Sequence, residues 1–322
     1  MINSFREPMN TSYRNNPIKI LMLLIMLFYL SNCAHSLPTL EYTTHGLTYS
    51  YSDSVEINYE IVGHGDKKIL FLHGFGTSLH TWDDIKYLFP QDEFSLYLLD
   101  LKGFGLSSKP KDDKYTLQEQ ANIVVDFIKY LDSKTLSLVG HSYGGGVALH
   151  AEMLLAKDIS KTRIDKLILI DCLAYMQDAP VFIDLLTIPV INKLTFLVSN
   201  SYKAEYILGK VFFDKELINE KLIARYSSYY YGEDIPYSFI TTAEQINPIE
   251  YEQLIEAYKS VATQCLIIWG DNDPILSLEN GIKLSKEMLN ARIEIVSECG
   301  HVPHEENPVV AYNKILFFLN NK

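Results

Sequence analysis

The chain has 322 residues, 48% of them hydrophobic and 21% charged, an ordinary globular balance with enough apolar material for a large core. Its net charge of −12 and the lack of any basic stripe exclude a nucleic-acid surface of the usual cationic kind. The cysteines Cys33, Cys172, Cys265 and Cys299 show neither zinc spacing nor a Cys-x-x-Cys pair, which leaves no sequence support for a metal site built on thiols.

Residues 1–36 read as an export leader. Arg14 and Lys19 precede an unbroken apolar run, Ile20 to Leu30, and small residues follow it. The run is too short to cross a bilayer, which takes about 20 residues. Two processing routes stay open. Leu30-Ser31-Asn32-Cys33 is similar to a bacterial lipobox, although Asn32 stands where a smaller residue is usual; that route would put lipid on Cys33 and anchor the chain to a membrane. Ala34-His35-Ser36 offers an ordinary small-x-small cleavage site and free export. The expected location is therefore exported: periplasmic or secreted, or held at a membrane as a lipoprotein.

Beyond the leader, Leu47–Tyr51 and Val55–Val62 alternate polar and apolar residues and predict a hairpin turning at Asp53-Ser54. Ile69–Leu72 is continuously apolar, as a strand buried on both faces requires, and it ends in His73-Gly74-Phe75-Gly76. A helix is expected from Trp82 to Phe89, stopping at Pro90. Phe94–Leu99 is the next buried strand, ending at Asp100. Thr116–Leu131 has apolar residues at helical spacing, with Thr116 and Glu119 placed for a capping box. Thr135–Val139 is a strand, a helix begins near Gly145, and Lys166–Ile170 is a strand ending at Asp171.

This rhythm implies a mostly parallel sheet with helices on both faces. It breaks after Asp171. From Leu173 to Ala262 helical segments alternate with breakers and are rich in apolar and aromatic residues, among them Phe182, Phe196, Tyr230 and Tyr231. The stretch predicts a helical cap over the carboxyl edge of the sheet, where open α/β sheets bind ligands. Strands resume at Cys265–Trp269 and Ile293–Val296, with helices over Leu278–Leu289 and Val309–Leu319. Cys265 opens one strand and Cys299 follows the end of another, at opposite edges of a parallel sheet, so no structural disulfide is expected.

Gly140-His141-Ser142-Tyr143-Gly144 lies between a strand and a helix, the setting a Gly-x-Ser-x-Gly nucleophile elbow demands. An activated serine needs a base, and the base needs an orienting acid. His301 and Asp273 follow successive late strands, which gives the chain order Ser, Asp, His; Asp271 and Asp171 compete for the role of acid. Other motifs fail. Gly103-Phe104-Gly105-Leu106-Ser107-Ser108 lacks the third glycine of a dinucleotide loop, and Asp271-Asn272-Asp273 is not followed by the glycine and glutamate of a calcium loop. No cofactor is expected.

Together, His73-Gly74-Phe75-Gly76, the Asp100–Ser107 loop, Gly140–Gly144, Trp269–Asp273 and Gly300–Glu306 make residues 47–319 resemble a capped serine hydrolase of the α/β-hydrolase fold. The resemblance implies a core from 37–172 and 263–322 with a cap, 173–262, inserted after the sixth strand. It implies Ser142 as nucleophile, Asp273 as acid, His301 as base, and an oxyanion hole from the backbone N–H groups of Phe75 and Tyr143. The expected activity is hydrolysis of a carboxylic ester or related carbonyl compound, with a hydrophobic small-molecule acyl substrate. The alternatives are cleavage of a carbon–carbon bond in a diketone-like ring-cleavage product, and a non-enzymatic ligand-binding protein on the same fold. Oligomeric state is not written in these motifs.

Overall fold

The computed structural model describes residues 46–158, 162–176, 179–246 and 251–321; the leader 1–36, with Cys33, lies outside them. Eight strands form one sheet: β1 Leu47–Ser52, β2 Val55–Val62, β3 Lys67–Leu72, β4 Phe94–Leu99, β5 Thr135–His141, β6 Arg163–Ile170, β7 Gln264–Gly270 and β8 Ala291–Val296. Their spatial order is β1-β2-β4-β3-β5-β6-β7-β8. β1–β2 and β2–β4 pair antiparallel, and every other neighbouring pair is parallel.

The continuous apolar runs in the middle of the sheet supply two cores at once, because successive side chains point to opposite faces. Leu70, Leu72, Leu138, Leu167, Leu169 and Ile267 join one cluster. Ile69, Phe71, Val139, Ile168, Ile170 and Ile268 join the other. Helices α2 (Leu117–Tyr130) and α3 (Tyr143–Lys157) pack on the first face, and α12 (Pro308–Asn320) contributes Ile315 and Phe318 to the second. Thr116 caps α2 by accepting the Glu119 N–H at 3.1 Å, one half of the expected box.

The helix expected from Trp82 to Phe89 is shorter and tighter. Leu79–Trp82 forms a 3-10 turn and α1 spans only Asp83–Lys86. The Leu88 N–H then bonds back to Ile85 at i−3, so the chain tightens out of the helix before Pro90.

Between β6 and β7 come α4 Val181–Thr187, α5 Ile191–Thr195, α6 Asn200–Val211, α7 Glu220–Ser228, α8 Ile235–Gln245 and α9 Tyr251–Tyr258. Part of this insertion holds its own small core of Ala204, Leu208, Val211, Phe212, Tyr226 and Tyr229, with Val302 from the loop after β8. The chain returns through α10 Leu278–Glu287, β8, and the single turn α11 Pro303–Glu306.

Candidate active site

The site grows from the turn after β5. Ser142 sits at φ 51°, ψ −117°, a conformation that a non-glycine residue adopts only under constraint. Its backbone is pinned on both sides: the N–H donates to Ile170 O at 2.9 Å, and its carbonyl accepts from Gly145, Gly146 and Leu173. The flanking glycines are required by space. A Cβ on Gly140 would lie 2.4 Å from Gly144 O, and one on Gly144 would lie 2.3 Å from His73 O. The strained turn thus presents the serine hydroxyl at the carboxyl edge of the sheet.

His301 reaches the same point from the loop after β8. Its Nε2 lies 2.9 Å from Ser142 Oγ and its Nδ1 lies 2.7 Å from Asp273 Oδ2. The Asp273 side chain is fully buried, and its other oxygen accepts the N–H groups of Ile275 and Leu276 at 2.8 and 3.1 Å. The carboxylate is therefore held by its own turn and aimed at the imidazole. Of the rival acids, Asp271 is exposed and holds the Asn272 side chain and the Cys299 N–H.

Asp171 lies closer to the chemistry. Its Oδ1 accepts the Gly270 N–H at 3.0 Å, while its buried Oδ2 has no hydrogen-bond partner. Burial pushes its carboxyl well above the usual carboxylate range, and the neighbouring Asp273 charge adds to the shift. Two adjacent buried carboxyls cannot both ionise cheaply, so Asp171 is the member that keeps its proton. Ligand-type atoms of Asp171, Asp273 and His301 lie within 4.8 Å of one another. Both ring nitrogens of His301 are already committed, to Ser142 and Asp273, which argues against a cation there.

Phe75 and Tyr143 line the same small chamber as Ser142 and His301. Tyr143 is the first residue of α3, where an N–H has no intrahelical acceptor. Phe75 lies in the turn after β3. That turn is held by His73, whose Nδ1 bonds Gly74 O at 2.8 Å while Nε2 accepts the Leu101 N–H at 3.0 Å.

Sequence reasoning missed what stands behind His301. His304, at the start of α11, is wholly buried, its ring packed between Trp82 and His141 at centroid distances of 4.4 and 4.5 Å. Burial pushes both His141 and His304 well below the usual imidazole range. His141 Nε2 lies 2.8 Å from His301 O, so the His141 ring supports the backbone of the histidine loop. Of these three neighbouring imidazoles only His301 has a carboxylate at hydrogen-bond distance.

The two glutamates that follow were also unassigned. Glu306 accepts the N–H groups of Gly300, Phe213 and Asp214, and the His301 N–H donates to Val211 O at 2.7 Å. Glu305 accepts from Thr81, Arg225 and Tyr226. The histidine loop is therefore clamped to the insertion as well as to the sheet. An acidic pair four residues after a candidate base was the available signal.

The sequence profile of the α/β-hydrolase fold family matches residues 67–308. The chain belongs to this family. An uncharacterized hydrolase, YugF, of Bacillus subtilis is 28% identical over 269 residues, which cover 83% of this chain and 95% of that one. The 2-hydroxymuconate semialdehyde hydrolase of a Pseudomonas strain is 23% identical over 271 residues, 77% of this chain and 89% of its own. In structure, an esterase from Exiguobacterium antarcticum superposes with a TM-score of 0.71 at 18% identity, over 86% of this chain and 100% of that one. The protein is an α/β-fold hydrolase by family, and its relatives span more than one hydrolytic chemistry.

Proposed function

We propose that this hydrolase cleaves a carboxylic ester, or a related carbonyl compound, through an acyl-enzyme on Ser142. The observation that carries the reading is the relay from Ser142 Oγ to His301 Nε2 at 2.9 Å and from His301 Nδ1 to Asp273 at 2.7 Å. Ser142 attacks the carbonyl carbon as His301 accepts its proton. Asp273 holds the imidazole tautomer and stabilises the imidazolium. The oxyanion is received by the N–H groups of Phe75 and Tyr143, each such donor being worth about 10² to 10³ in rate. His301 then protonates the leaving group, and water activated by the same ring releases the acid.

The chamber around Ser142 is walled by Leu173, Phe182, Ile183, Ile207 and Ile275, which supports a hydrophobic acyl group. The second reading, cleavage of a carbon–carbon bond in a diketone-like ring-cleavage product, uses the same triad and is favoured by the similarity to the Pseudomonas hydrolase. The two separate on a panel of p-nitrophenyl esters run beside a ring-fission diketone. Turnover of the esters with no turnover of the diketone supports ester hydrolysis, and the reverse supports carbon–carbon cleavage. A fluorophosphonate probe that labels the native enzyme no more than Ser142→Ala overturns both. We also propose export. Mass spectrometry of the mature N-terminus distinguishes a lipid-modified Cys33 from a free start at Leu37, and an intact leader overturns export.

A further inference from the structure

A second chamber, about 200 Å³ in volume, adjoins the one over Ser142. Phe75, Thr77, Phe182 and Ile207 form walls of both. Its other walls come from the insertion, with Leu185, Leu186, Phe196 and Phe239 among them. Such a space would ordinarily take an alkyl chain. It also contains one charged side chain, Lys203.

Lys203 is out of place in several ways. Its Nζ lies 5.3 Å from the ring centroids of both Phe196 and Tyr230. Among the described residues no carboxylate pairs with it, and neither chamber is lined by an aspartate or glutamate. This holds in a chain of net charge −12, where acidic side chains outnumber basic ones. Lys203 also lies in the first turn of α6, the helix end that disfavours a cation. Burial lowers its pKa to about 8, so it still carries its charge at neutral pH. A half-buried ammonium flanked by aromatic faces, with no ionic partner, is in a condition that a bound anion relieves.

We infer that Lys203 receives a carboxylate carried at the end of the substrate remote from the carbonyl that Ser142 attacks. The substrate class is then a singly charged amphiphile: an apolar chain that threads the shared walls, with the reacting carbonyl at one end and the carboxylate at the other. A single ammonium matches a single carboxylate charge, and the apolar walls between the chambers suit methylenes. The inference rests on the reading of Ser142 as the acylated nucleophile. If Lys203 instead only packs α6 against Phe196 and Tyr230, a methionine of similar length does the same work.

The test compares mono-p-nitrophenyl esters of dicarboxylic acids, adipate through sebacate, with the same esters methylated at the free end. At one chain length the native enzyme should favour the free carboxylate by about tenfold or more in kcat/KM, the scale of one charge-assisted contact. Lys203→Met should bring that ratio down by about the same factor, and Lys203→Arg should restore most of it. An unchanged ratio in Lys203→Met overturns the inference. Calorimetry with Ser142→Ala reads binding apart from turnover: monomethyl suberate should bind and dimethyl suberate should not, and the double variant with Lys203→Met should lose the difference. Equal binding of the two by Ser142→Ala also overturns it. If no ester is cleaved and Ser142 is not labelled, the hydrolase reading fails while calorimetry still decides Lys203. Should Lys203→Met prove unstable by thermal melting, Lys203→Gln gives the same comparison.

Discussion

Ser142, Asp273 and His301 each lie within five residues of a strand end, whereas Phe182, Lys203, Ile207 and Phe239, across the chambers, come from three helices of the insertion. The first group is held by backbone hydrogen bonds. Ser142 is tied to Ile170, Asp273 to its own turn, and His301 to Val211. The second group is held mainly by apolar packing, with Lys203 as its one charged side chain. Directional bonds at the sheet edge specify a chemistry to within tenths of an ångström, while the insertion specifies a shape. One fold can therefore keep its reaction and change its substrate by altering helices that the reacting atoms never touch.

The sharpest way to break this contrast is at the serine. Ser142→Ala should lower kcat by about 10⁶ in a steady-state ester assay, with thermal stability nearly unchanged. Next come the two aspartates. Asp273→Asn should cost about 10⁴ in kcat by disturbing the imidazole tautomer. Asp171→Asn should stay within severalfold of native, because the amide is neutral and of nearly the same shape as the protonated acid, and its oxygen can still accept the Gly270 N–H. A loss at Asp171 equal to that at Asp273 would mean that the two carboxyls act as one acid.

Asp171 also makes a prediction about pH. Burial and the Asp273 charge raise its carboxyl in the native state, so the folded protein holds a proton that the unfolded chain has released above the ordinary carboxylate range. The stability contributed by that proton is full in acid and is lost as pH rises toward the native value. Asp171→Asn carries no such dependence. Its urea midpoint relative to native should rise between about pH 5 and about pH 8; a flat difference would mean that Asp171 is ionised in the native protein.

The clamp between insertion and core comes third. Arg225→Met leaves Glu305 buried without its cation, which should cost about 3 to 5 kcal/mol by urea denaturation. Adding Glu305→Gln should return part of that loss, and strict additivity would show that the two residues do not interact. The smallest effect is expected in the chamber itself. Phe239→Ala should raise KM for medium-chain esters by roughly threefold to tenfold with kcat changing less, since it removes apolar contact shared by ground and transition states.

Much of the sheet was legible because its signals are local. Ile69–Leu72, Phe94–Leu99 and Cys265–Trp269 are apolar runs of strand length, and each is a strand. The short helix after Leu79 was read too long because its end depends on an i−3 bond that apolar spacing does not announce. The burial of His304 was not legible for a different reason. A histidine beside a proline at a helix start has no local feature that distinguishes a solvent-facing ring from one packed between Trp82 and His141.

From the sequence alone came the order of strands and helices, the place of the insertion, and the serine, aspartate and histidine that could share an edge. Those follow from periodicity, turn chemistry and motif spacing, which act over a few residues. Only the tertiary structure decided that the Asp273 carboxyl reaches His301 while burial and that neighbour raise the Asp171 carboxyl, that His141 and His304 pack behind the site, and that, among the described residues, Lys203 stands without a carboxylate in an apolar chamber. Each depends on distances between segments far apart in the chain, where burial and neighbouring charge set the chemistry of a side chain.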